Sequence, residues 1–91
     1  MPNIKQQEKR MRQAEKRRVR NKSRKSEIKT YVKRFETALQ RGDREESEIY
    51  LNKAIQALDR AASDGIIHKN NAANRKSRLM HKYNQALLPT P

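Results

Sequence analysis

Between Lys16 and Lys25 the chain reads Lys-Arg-Arg-Val-Arg-Asn-Lys-Ser-Arg-Lys, seven cations with no acid among them. The chemistry open to such a run is the neutralisation of phosphate, because Lys and Arg displace condensed counterions from a polyanion. Catalytic chemistry finds less to work with. His68 and His81 are thirteen residues apart and do not share a helix face, and there is no Cys to act as nucleophile or thiolate ligand. The carboxylates gather on what reads as the outer face of a helix rather than in a pocket. Gly42 and Gly65 stand at helix ends, so no phosphate-cradling loop can be assembled from them. The four aromatics, Tyr31, Phe35, Tyr50 and Tyr83, fall mostly on core faces, which leaves few rings for stacking on unpaired bases. The expectation is a binding protein without enzymatic activity, cofactor or metal, reading backbone and shape.

The run must be positioned by something, and the element that carries it is long. From Glu8 to Arg41 the residues are good helix formers with no Gly or Pro before Gly42, which predicts one helix over 8–41 preceded by a loose lead-in over 1–7. Its two halves differ. At ~100° per residue, Ile28, Tyr31, Val32, Phe35, Ala38 and Leu39 occupy one arc and need a partner. Towards the N-terminus the same seam holds Arg24, Asn21 and Arg17, and the surrounding cations point all round the axis. Met11, Ala14 and Val19, the apolar residues of this half, point different ways, so it lacks the apolar face that membrane-surface binding requires.

Asp43 followed by Glu46 has the spacing of a helix cap, and a second helix is expected over 44–63 with Leu51, Ala54, Ile55, Leu58, Ala61 and Ala62 inward and Glu45, Glu48, Lys53, Asp59 and Arg60 outward. Asp64-Gly65 ends it, Ile66-Ile67 form a short apolar connector, and a third helix over 68–87 precedes a tail over 88–91 that contains Pro89. Its inner face reads Ala72, Leu79, Met80, Tyr83, Ala86 and Leu87, interrupted by Lys76, which is expected to snorkel. Asn71, Arg75, Arg78 and Lys82 make a basic stripe beside it. Short turns make neighbouring helices antiparallel. The predicted architecture is therefore an all-α, single-domain, up-down-up three-helix bundle, with the basic half of the first helix projecting beyond it and the start of the third helix level with Asn21 to Lys29.

Composition agrees with a thin core and an anionic partner. Apolar residues make up 33 % of the 91, against roughly 45–50 % in ordinary globular chains with glycine counted. The net charge is +13, too large for a neutral partner to explain. It is also unevenly spread: residues 1–34 carry +11, residues 35–64 carry −3 and residues 65–91 carry +5. An acidic middle third suits a surface turned away from the polyanion. No apolar run approaches the ~20 residues of a bilayer span or resembles a secretory signal, and Glu8 and Glu15 argue against an organelle transit peptide. A soluble protein that stays where it is made is expected. Arg41-Gly42-Asp43 spells a receptor-binding tripeptide but is explained by the helix turn, and a nuclear-localisation reading of Lys16 to Lys25 is not separable from a nucleic-acid patch. From the residues alone, a nucleoid-type DNA-bending protein and an adaptor for acidic proteins stand as alternatives. The first asks for a dimer surface or a minor-groove wedge, and the second for an acid-complementary groove; neither is visible.

Asn3-Ile4-Lys5, Arg20-Asn21-Lys22-Ser23 with Lys25-Ser26, Gly42-Asp43, and above all Gly65-Ile66-Ile67-His68-Lys69-Asn70 followed by Ala72-Ala73 and Lys76-Ser77-Arg78-Leu79 closely resemble a bacterial small-subunit ribosomal protein family, S-twenty. The resemblance covers essentially the whole chain. It implies a monomeric structural constituent of the small subunit that binds 16S-type rRNA directly and early, where several rRNA helices converge, on a cytoplasmic ribosome, with a plastid ribosome left as the alternative. It implies rRNA contacts at Asn21, Lys25, His68, Lys69, Asn70, Lys76 and Arg78. To these the charge pattern adds Lys9, Arg10, Arg12, Lys16, Arg17, Arg18, Arg20, Lys22, Arg24 and Lys29 from the first helix, and Arg75 and Lys82 from the third. Many relatives carry Lys or Arg where this chain has Asn71 and Asn74, so no salt contact is carried onto those two.

Overall fold

The computed structural model describes residues 4–87. It contains three helices, α1 (Ile4–Arg41), α2 (Arg44–Ser63) and α3 (Lys69–Leu87), in an all-α, up-down-up arrangement. The expected 88–91 tail and the first three residues of the lead-in lie outside the described residues. The rest of that lead-in is corrected: Ile4 to Gln7 are helical, because an established helix propagates at little cost through residues without glycine or proline, and no packing partner is required to extend it.

The two reversals use the same device. At the end of α1, Gly42 takes φ 73° and its N–H donates to Leu39 O (3.1 Å), while Asp43 N–H donates to Ala38 O (3.0 Å). At the end of α2, Gly65 takes φ 75°, its N–H donates to Ala62 O (3.1 Å), and Ile66 N–H donates to Ala61 O (2.9 Å). A left-handed residue lets the chain bond back to the last free carbonyls, and only glycine adopts it without steric cost. The Asp43 carboxylate then accepts from Glu46 N–H at 3.0 Å and caps α2. At the third start, His68 stands before α3 as its cap: Nδ1 accepts from Asn70 N–H at 3.1 Å.

α2 is the middle element. α1 packs along one flank and α3 along the other, while α1 and α3 meet chiefly through long side chains, such as Phe35 and Tyr83 with ring centres 6.5 Å apart. This explains why the buried surface of α2 is wider than one apolar stripe. Leu51, Ala54, Leu58 and Ala61 are buried as expected, but so are Ala57 and Ser47, on the side that meets α1. Small residues there let two backbones approach, and Ser47 satisfies its hydroxyl by donating to Arg44 O at 2.9 Å. Lys53 and Asp59, expected on the outer face, reach sideways instead. Lys53 lies over the rings of Tyr31 and Tyr50, and Asp59 pairs with Lys76.

α3 contributes less than its pattern promised. Ala72 and Leu79 are buried and Tyr83 is half-buried, whereas Met80 and Ala86 are exposed. A helix packed against essentially one neighbour buries a narrow arc, and Met80 falls at its edge beside Ile55. The molecule is long and thin, 70 × 23 × 14 Å, with a radius of gyration of 18.1 Å, where a compact chain of this length would have about 12 Å.

Candidate nucleic-acid interface

Every residue from Ile4 to Ser23 is exposed. Arg24 marks the joint: its Nε lies 3.7 Å from an Asp64 carboxylate oxygen at the end of α2. Residues 4–23 therefore project beyond the bundle by about 30 Å at ~1.5 Å per residue. Lys9, Arg10, Arg12, Lys16, Arg17, Arg20, Asn21 and Lys22 all stand on this rod, open to solvent. The rod is not uniformly cationic, which amends the expectation. Ile4, Glu8, Met11, Glu15 and Val19 share an arc of ~80°, and no Lys or Arg within residues 4–21 falls on it. Arg18 beside that arc is engaged, its Nη2 donating to Glu15 Oε1 at 2.6 Å and its Nε to Oε2 at 3.2 Å. The contact holds the Glu15 carboxyl below the usual carboxylate range and raises Arg18, through the hydrogen bond first and the charge second.

Arg24 is half-buried and bound twice, to Asp64 and to Glu27 at 3.3 Å. It ties α1 to the end of α2, so its charge is largely spent within the fold. Two other expected contact residues are also paired: Lys76 with Asp59 at 2.6 Å and Lys82 with Glu36 at 3.0 Å. Lys76 lies on the α2 side of α3, in the groove with Ile55 and Met80.

The residues that the fold does bring together come from both ends of the chain. Lys25 and Lys29 of α1 face His68, Asn71 and Arg75 across an open cleft of about 1020 Å³. Lys25 and Lys29 also border a second depression with Arg18, Asn21 and Lys22, so the cleft runs on into the rod. Lys69, Asn70, Asn74 and Arg78 are exposed on α3. Lys33 was missed by sequence reasoning and lines the same cleft. The signal was present, since Lys25, Lys29 and Lys33 recur every four residues along one helix face. No Lys25, Lys29, Lys33 or Arg75 ion pair exists among the described residues, and the one acid in the cleft, Glu36, is held by Lys82.

Among the described residues no three His, Asp or Glu side chains come together as a metal site, and no helix is long and apolar enough to cross a membrane.

A family model described as ribosomal protein S20 matches residues 2–84. The small ribosomal subunit protein bS20 of Natranaerobius thermophilus is 50 % identical over 84 residues, covering 92 % of this chain and 96 % of the relative. The proteins of that name from Salinispora tropica and Thermobifida fusca are 53 % identical over 79 residues and 49 % over 85, covering 87 % and 93 % of this chain and 90 % and 92 % of theirs. With matches of this depth running through the rod, both glycine turns and the cationic cleft, the chain belongs to the ribosomal protein S20 family.

Proposed function

We propose that the chain is a structural, non-enzymatic constituent of the small ribosomal subunit, monomeric within a cytoplasmic-type ribosome. It binds the 16S-type rRNA directly, neutralises phosphates where rRNA helices converge, and so aids subunit assembly. Its relatives are named as small-subunit proteins. The observation that carries the reading is the juxtaposition of uncommitted cations from two segments about forty residues apart, Lys25, Lys29 and Lys33 against Arg75, continuous with an exposed cationic rod. One such surface can engage backbones from more than one direction, and phosphate contacts position without reading sequence.

The test is binding of the purified chain to intact small-subunit rRNA and to duplex DNA at matched salt. With about eight phosphates neutralised, log K should fall against log salt with a slope of roughly −6 to −7. Lys25→Ala and Arg78→Ala should each reduce the slope by about one, and Glu48→Ala on the far side of α2 should leave it unchanged. Equal affinity for duplex DNA, or a slope near about −2, would overturn the proposal.

A further inference from the structure

The cleft between α1 and the start of α3 differs from the rest of the cationic surface in having an apolar floor. Ile28 is buried beneath it, and Val32, Ile66 and Ile67 line it half-buried. Phosphate binding alone gives no reason for such a floor. An intact duplex offers phosphates, sugars and base edges, and hides the faces of its bases. The part of a nucleic acid that joins a flat apolar face to an attached phosphate is a nucleotide turned out of its stack.

Three features make the cleft a site for one. Its floor is fixed: Ile66 and Ile67 N–H both point to Ala61 O, at 2.9 and 3.4 Å, and His68 is held as the cap of α3. Its rim is free: Lys25, Lys29 and Arg75 have no ion-pair partner among the described residues, and Asn71 adds an amide that can pair with a base edge. Its size, about 1020 Å³ including its open mouth, leaves room for one nucleotide, since sites for small ligands run from roughly 300 to 1000 Å³. We propose that this cleft holds a single unpaired rRNA nucleotide, with its base against Val32, Ile66 and Ile67 and its phosphate between Lys25, Lys29 and Arg75. The inference rests on the rRNA-binding function proposed above and narrows it, adding one base-face contact to a surface that otherwise meets backbone. Turning a nucleotide out of its stack is unfavourable, least where the base is already unpaired, so the site selects a bulge or loop.

The experiment follows the Ile and Val methyl resonances of the full-length protein during titration with a five-nucleotide oligoriboadenylate, and with a fully abasic oligomer of the same length and charge. The oligoadenylate should shift the Val32, Ile66 and Ile67 methyls while the abasic oligomer leaves them in place, and both should shift the Lys25 and Lys29 amides. Ile67→Ser, with its fold checked by circular dichroism, should weaken binding to intact rRNA roughly tenfold, the effect of losing about 50 Å² of buried apolar contact, without altering the salt slope. Equal methyl shifts with both oligomers, or none with either, would overturn the inference. Steep salt-dependent rRNA binding alongside absent base-specific shifts would sink the nucleotide site alone. Failure to bind rRNA at all would sink the proposed function with it.

Discussion

Truncating Leu58 tests the architecture most directly. Its side chain is fully buried in α2, between the α1 and α3 contacts, in a core whose other members include Phe35, Leu51, Ala54 and Ala61. Leu58→Ala removes three carbons, worth about 2.4 kcal/mol at ~0.8 each. The surrounding alanines cannot swing into the gap, so a residual cavity of about 60 Å³ would add roughly 1.4 kcal/mol. The sum, about 4 kcal/mol, lies within the range for buried Leu→Ala changes. A chain of this length has roughly 5–13 kcal/mol in total, and so thin a core belongs at the low end. The variant should therefore be close to its unfolding threshold, with the thermal midpoint lowered by about 15–30 °C. Circular dichroism melting measures this directly. Saturating rRNA, at about a hundred times its dissociation constant, should restore roughly 2.7 kcal/mol by mass action, with the salt slope unchanged. A midpoint shift under about 4 °C, roughly 1 kcal/mol, would show that Leu58 is not buried and that the α2 packing described here is wrong.

In hydrogen exchange, the free protein should show fast amides before about Ser26 and slower ones in Ile28 to Gln40, Leu51 to Ala62 and Leu79 to Tyr83; uniform protection along all three helices would contradict the division of α1 into rod and core. Arg24→Ala should speed exchange at the base of the rod while costing the bundle no more than about 1 kcal/mol, and unchanged exchange from Asn21 to Ser26 would show that the Asp64 and Glu27 contacts do not fix the joint. Because Arg18 depresses the Glu15 carboxyl, the pair supports the folded rod above the ordinary glutamate range and loses that support as pH falls through the lowered value. An NMR titration in which Glu15 ionises no lower than an ordinary glutamate would remove the interaction. Glu15→Gln should also free Arg18 and steepen the salt dependence of rRNA binding, and an unaltered or shallower slope would mean that Arg18 lies off the interface.

The helix order, both glycine turns and the face of α1 that packs were legible because each depends on local chemistry: uninterrupted helix formers, Gly-Asp and Asp-Gly pairs, and apolar spacing from Ile28 to Leu39. Burial on α2 and α3 was less so, because it depends on how many neighbours a helix has. Ala57 and Ser47 became core through contact with α1, and Met80 became surface because α3 leans chiefly on α2. In the candidate site, charge marked which residues were available, and sequence could not show which were already committed. Lys76 and Lys82 meet Asp59 and Glu36, and Arg24 meets the second of its two acids, Asp64, only once the helices are assembled, since these partners sit 17 to 46 residues away. The floor of the cleft was hidden for the same reason: Ile66 and Ile67 read as a connector until the end of the bundle placed them opposite Lys25 and Lys29.

The 38 residues of α1 form one unbroken helix, of which the part from Arg24 on is held against α2 and residues 4–23 stand out as an arm attached at one end only. With the joint at Arg24 and the tip about 30 Å away, a tilt of roughly 10° at the joint carries Ile4 through about 5 Å, more than the ~3.4 Å rise between successive nucleotides of a strand. The arm is a lever with its fulcrum at one half-buried arginine. Cations near the fulcrum are placed by the protein. Those near the tip are placed by whatever they touch, so the same helix offers fixed geometry at one end and adjustable reach at the other.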